Sequence, residues 1–378
     1  MNKKNIILVF FIGLFFISII CKKSNISAIE EGNQSEKYQV ASLTPHLPFF
    51  ITHDDNFTHY GFSGFGNKTH PYIIEDYSIT SSDAYGIYIE NTTKFFIIRN
   101  CYIDAGEIGI YILDIADGTA SILKNICKNN EVGIKLIDTS QAILANNTCT
   151  NNEFGIRLYR SPDAKITSNI CKNNGFHGIY FENCLSPVLI NNTCSNNKIC
   201  GTLLYASFGT CFLNNTCSDN NLNGLYLDAT MNAHIINNTF ERNIRYGIEL
   251  YISDYCFITY NALLENNLYG LYLQSGSDNN VIHHNTFHFN NLGGTSQAYD
   301  DGNNNQFYEI ATNQGNYWSN YLSGSYSIDG SSNSVDPYPL GEPLVPVSEY
   351  IQGDVFIVFI VPCLVLILFV FRKEKKKN

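Results

Sequence analysis

The chain has 378 residues, only 15% of them charged, and Lys+Arg 23 against Asp+Glu 34 leaves a net charge of −11. So acidic a chain offers no basic face for nucleic acid. Hydrophobic residues at 44%, with 25 Phe and 25 Tyr, exclude a wholly disordered chain, and two Met and ten Pro argue against a helical bundle.

At the N-terminus, Lys3 and Lys4 precede an apolar run from Ile6 to Ile20, and the small residues Ser27 and Ala28 follow. This is the pattern of a signal peptide over residues 1–28. Cys21 suggests a lipid attachment site, but the bulky Ile20 before it argues against one, and an uncleaved anchor is the alternative. Residues 29–80 are expected to be a linker and an N-terminal cap.

A repeat fills residues 81–293. Glycines at 86, 109, 133, 155, 178, 201, 224, 247, 270 and 293 recur every 22 to 24 residues. Most are followed by an apolar, variable, apolar triplet such as Ile134-Lys135-Leu136 or Ile248-Glu249-Leu250, and a period of two means strand. Eight or nine residues before each next glycine stands an asparagine: Asn100, Asn125, Asn147, Asn169, Asn192, Asn215, Asn238, Asn261 and Asn285. Two residues further the series reads Tyr102, Cys127, Cys149, Cys171, Cys194, Cys217, Phe240, Leu263 and Phe287, an inward stack. A fixed period without helical periodicity predicts an all-β parallel solenoid of about nine to ten 22–24-residue coils, with the asparagines as a hydrogen-bonded ladder at a turn.

Residues 294–340 are expected to cap the far end and 341–354 to form a stalk with prolines at 343 and 346. Residues 355–371 carry no charge, enough for a transmembrane helix. The tail at 372–378, with Arg372, Lys373, Lys375, Lys376 and Lys377, belongs on the cytoplasmic side. The repeats are thereby placed outside the cell, on a single-pass membrane protein anchored by its C-terminal helix.

With these repeats, with Pro71-Tyr72-Ile73-Ile74-Glu75 at the entry, and with Gly315-Asn316-Tyr317-Trp318-Ser319 and Asp336-Pro337-Tyr338-Pro339-Leu340 near the end, the chain resembles the right-handed parallel β-helix proteins of the NosD-type periplasmic copper-binding and carbohydrate-binding/sugar-hydrolase superfamily. The resemblance implies a right-handed, single-stranded β-helix. It implies no one reaction, because such proteins include lyases, hydrolases, epimerases, accessory proteins and surface adhesins. Copper is the cofactor it would add; the residues themselves require none.

The middle residue of each triplet points outward, giving a column that includes Tyr88, Tyr111, Lys135, Arg157, Tyr180, Tyr226, Glu249 and Tyr272. A second column, two residues on, includes Glu90, Tyr159, Glu182, Tyr205, Asp228, Tyr251 and Gln274. Tyrosines between carboxylates suit a polysaccharide or cell-surface glycan lying along the sheet, with Tyr180, Glu182, Tyr226, Asp228, Glu249 and Tyr251 as the ligand-binding set. The competing explanation is that exposed tyrosines simply fit strands.

Signs of catalysis are weaker. Asp228 and Glu249 lie on adjacent coils at a spacing glycoside hydrolysis can use, and Arg157 and Lys135 with Glu182 suit a lyase or epimerase. The Asp-Pro-His of uronate epimerases and the paired aspartates of polygalacturonases are missing. Binding is favoured over a polysaccharide-processing enzyme or a copper-handling accessory protein. His283, His284 and His288 are the one dense histidine group and the candidate metal ligands, while the cysteine column reads as core. Asn146, Asn191, Asn214 and Asn237 each open an Asn-Asn-Thr glycosylation sequon.

Overall fold

A computed structural model describes residues 43–343. The segments read as signal peptide, transmembrane helix and basic tail, with most of the stalk, lie outside the described residues. No helix among the described residues is long and apolar enough to cross a membrane.

The chain winds as a coil whose turns each contribute one short strand to three parallel sheets of twelve, eleven and ten strands. Each strand pairs with the strand one turn earlier and one turn later, as Cys149 pairs with Cys127 and Cys171. At the usual interstrand spacing the stack is roughly 45–50 Å long. The core is a set of columns, one residue per turn. Ile87, Ile110, Ile134, Ile156, Ile179, Leu225, Ile248 and Leu271 form one of them, all completely buried.

Strands this short hold together because their corners do. At the first corner Asn192 accepts from the Asn169 backbone N–H at 2.9 Å and the Asn169 amide at 3.0 Å. It donates in turn to the Ile166 carbonyl at 2.8 Å and to Asn215 Oδ1 at 2.9 Å. The ladder runs from Asn125 to Asn285 and is closed by Asn316. Its first rung differs from the sequence expectation. Cys101 holds the ladder position and donates its N–H to Asn125, while Asn100 sits one residue earlier in a left-handed conformation (φ 54°). The inward residue of that turn is accordingly Ile103, in register with Cys127, and not Tyr102.

A second ladder escaped the sequence reading. Asn130, Asn152, Asn174, Asn197, Asn220, Asn243, Asn266 and Asn290 bond from turn to turn at the next corner, where Gln297 ends the series. A third corner uses hydroxyls, with the Ser207 N–H donating to Thr230 Oγ1 at 3.2 Å and the Thr230 N–H to Ser253 Oγ at 3.0 Å. The repeated glycine follows from the close approach of the next turn's backbone, with the second ladder crowding the same space. A Cβ on Gly178 would lie 2.6 Å from the Gly201 carbonyl oxygen and 2.9 Å from Asn197 Nδ2. The column ends at Gly270, which bonds to the Gln297 carbonyl; Gly293 lies outside it with open space around its Cβ position.

Both ends are closed by aromatic rings. Residues 43–80 already supply strands to all three sheets, and Phe49, Phe57, Phe62 and Tyr72 bury themselves over the first turn. At the other end Trp318 stacks between Phe287 and Tyr326, each at 4.1 Å. Asp336 fixes that lid by accepting from the Asn316 N–H at 2.7 Å and Trp318 Nε1 at 2.9 Å.

Candidate functional site

The outer face of the eleven-stranded sheet carries the two predicted columns in register: Arg157 beside Tyr180, Tyr226 beside Glu249, Glu249 beside Tyr272, and Asp228 beside Tyr251. Along it the rings make three groups. Phe50, Tyr85, Tyr88 and Tyr111 cluster near the first turns. Phe154, His177 and Tyr180 gather around Arg157, whose guanidinium lies 5.3 Å from the Phe154 ring and 5.2 Å from Tyr180. Tyr246, Tyr269, Tyr272 and Tyr299 form the third group, in which Tyr246 and Tyr272 are parallel at 4.4 Å and Tyr272 and Tyr299 stack at 4.8 Å.

Beside that third group lies the most unusual carboxyl of the face. Glu249, expected to point into solvent, is 5% exposed. The reason lies at its flanks: Asn223 Nδ2 donates to Glu249 Oε2 and Gln274 Nε2 to Oε1, each at 2.5 Å, and together they cover it. Burial raises the Glu249 carboxyl above the usual range, with the Asp228 charge adding to the effect and the Asn223 and Gln274 amides opposing it. Burial likewise raises Asp228. Tyr226 between them is pushed up by burial and then by the charges of Asp228 and Glu249. Asn223 Oδ1 is buried without a hydrogen-bond partner.

Elsewhere on the face, Glu182 is already committed. Its Oε2 accepts from the Tyr180 hydroxyl at 3.1 Å and meets Arg157 Nη2 at 3.4 Å. Arg157 thus has Glu182 as its ion-pair partner on the face, while its Nε makes no hydrogen bond. Tyr251 is 37% exposed and available.

The three histidines separate. His283 and His284 meet at the first corner, where their Nδ1 atoms are 2.6 Å apart, and burial, then the neighbouring His284, pushes His283 down to about 4. The group they belong to includes Glu309 and not His288, whose ring lies against Phe289. Asn146, Asn191 and Asn214 are exposed at left-handed corner positions; Asn237 is half-buried and donates to Asn214 Oδ1 at 2.7 Å. Residue-by-residue reading missed Asn223, Tyr246 and Tyr269, although each directly precedes a repeated glycine and so forms a column of its own. It also missed Glu309, which no period connects to the histidines.

Residues 161–323 match the family model described as periplasmic copper-binding protein (NosD), and residues 61–216 match the right handed beta helix region. Among solved structures, the Dettilon tailspike protein aligns with 80% of this chain and 71% of its own at 15% identity and a TM-score of 0.52. The A-module of the Azotobacter vinelandii mannuronan C-5 epimerase AlgE6 aligns with 62% of this chain and 71% of its own at 14% identity and a TM-score of 0.51. A double mutant of the periplasmic alginate epimerase AlgG aligns with 63% of this chain and 74% of its own at 15% identity and a TM-score of 0.48. No curated protein matches the chain by sequence. The copper in the family description finds no site in the thiol column: Cys127, Cys149, Cys171, Cys194 and Cys217 are completely buried, continue upward as Phe240 and Leu263, and are packed as core. Over residues 61–323, the span of the two models together, the chain is a right-handed parallel β-helix, and over 161–323 it is similar to the NosD-type proteins.

Proposed function

We propose that the chain binds a polysaccharide lengthwise on the outer face of the eleven-stranded sheet, outside the cell and held at the membrane by its C-terminal hydrophobic run. The observation that supports this most is the stacked group Tyr246, Tyr269, Tyr272 and Tyr299 beside the buried Glu249 and Asp228. The outward edge of this ring row and the exposed Tyr251 ring offer apolar surface to a sugar chain, and the Asp228 carboxyl meets its hydroxyl groups. Glycan-screening of the purified full chain identifies the polymer class. Tyr251→Ala and Tyr226→Ala should then each weaken binding about tenfold or more, while melting temperature changes little, as for substitutions away from the core. Unchanged affinity with a lowered melting temperature sinks the proposal, because the rings then only shield the sheet.

A second reading, polysaccharide processing, rests on the Glu249 carboxyl. A carboxyl raised by burial is the kind of group that holds and delivers a proton. Release of new reducing ends or unsaturated uronate by the wild-type chain, lost in Glu249→Gln, separates processing from binding.

A further inference from the structure

The far end of the solenoid carries a set of side chains unrelated to the glycan face. His284 occupies the left-handed corner position (φ 57°) just before the ladder residue Asn285, and His283 ends the preceding strand, Val281–His283. Across from them a hairpin is pinned by an antiparallel bridge between Glu309 and Gln314, whose Glu309 N–H donates to the Gln314 carbonyl at 2.8 Å. This hairpin follows the last repeat and runs directly into Gly315 and Asn316, which close the first ladder. Its own residues 310–314 are exposed. Two contacts tie it to the His284 corner: the His284 N–H donates to the Gly315 carbonyl at 2.7 Å, and His284 Nε2 meets Gln314 Oε1 at 2.8 Å.

That last contact sets the chemistry. With Gln314 Oε1 accepting, His284 carries its proton on Nε2 and presents a lone pair at Nδ1 toward His283 Nδ1. One nitrogen of His283, one of His284 and one carboxylate oxygen of Glu309 all lie within 4.8 Å of one another. Glu309 is itself oriented, since Thr312 Oγ1 donates to its Oε2 at 2.7 Å. A ligating imidazole whose second nitrogen donates to a carbonyl-type oxygen is the usual outer arrangement of a metal-bound histidine. Two imidazoles and one carboxylate, with a position left for water, suit a borderline divalent cation such as Zn²⁺.

We propose that His283, His284 and Glu309 bind one Zn²⁺-type divalent cation that clamps the 309–314 hairpin to the last coil. Tetrahedral ligation at Zn–N distances of about 2.0–2.1 Å places two nitrogens about 3.3 Å apart. The 2.6 Å His–His contact therefore opens by less than about 1 Å on binding, within the range of a small ring rotation. His283 then holds its proton on Nε2, and His284 keeps its own against Gln314. The inference does not depend on glycan binding, because the site lies at a corner and not on the tyrosine face.

The test uses the purified full chain, stripped with EDTA and titrated with Zn²⁺. One equivalent should be retained through desalting, and the melting temperature should rise on Zn²⁺ addition, since a ligand bound only by the folded state stabilises it. Co²⁺ substitution should give visible absorption bands of a low-coordinate nitrogen and oxygen site. His283→Gln and Glu309→Gln should each weaken Zn²⁺ binding tenfold or more. Gln314→Ala should do so by about 10–100-fold, the range for an outer partner of a ligating histidine. His288→Gln should leave binding unchanged. Circular dichroism and the EDTA-state melting temperature of each variant, compared with the stripped wild type, separate ligand loss from misfolding. Absence of a stoichiometric Zn²⁺, or undiminished binding in the His283→Gln/Glu309→Gln double variant, overturns the proposal.

Discussion

Glu249 shows how far a strand pattern misleads about one side chain. Alternation places it outward, and outward it goes, yet Asn223 from the turn before and Gln274 from the turn after fold over it. Neither neighbour is within three residues of it in sequence, so no local pattern reveals the burial. A carboxyl with a raised folded-state pKa binds a proton more readily when folded than when unfolded, so stability falls as pH rises from the unfolded value toward the folded one. Above the ordinary carboxylate range of about 4.3, the wild-type chain should therefore lose stability with increasing pH over a window that Glu249→Gln flattens. Melting temperatures of both proteins between pH 4 and pH 7 check this, and parallel curves would remove the buried-acid description. Asn192 gives a complementary case. Replacing it with Leu removes the acceptor of the Asn169 N–H and of one Asn169 amide hydrogen, and takes a donor from the Ile166 carbonyl, inside the stack. A loss of at least about 1–3 kcal/mol is expected in denaturant unfolding.

At the level of strands and corners, the sequence made the fold legible because each turn repeats the same problem. The glycine period, the inward cysteine column and the first asparagine ladder all appear as fixed offsets in the chain, and the paired registers reproduce those offsets. The second ladder stood in the same rows as Asn129-Asn130, Asn151-Asn152 and Asn173-Asn174, but there the neighbouring asparagine hid which one turns inward. Only the inner member is buried; the other takes the left-handed corner. At the first turn the same ambiguity shifted the register by one, since Asn100 satisfies the corner and Cys101 the ladder. Glu309 lay beyond any such reading. Its distance to His284 is set by where a nonrepeating hairpin lands, which depends on the whole end of the stack.

Across the described unit, each ladder rung is satisfied by whichever rung comes next, and the end residues, among them Cys101, Asn316, Gln297 and Trp318, are peculiar to their places. Stability in such an array is close to a sum over neighbouring turns. Turn number is then a dimension that can vary without redesign, and the solenoid behaves as a ruler graduated in steps of about 4.8 Å. Tandem duplication of residues 202–224 should insert one further turn in register, raising the melting temperature or leaving it unchanged and adding about 4.8 Å to the length measured by small-angle scattering. A collapse of stability would mean that the turns are not interchangeable. If they are, the reach of the tyrosine face, and so the number of sugar residues it spans, is set by a count of 23-residue units and can be lengthened or shortened one unit at a time.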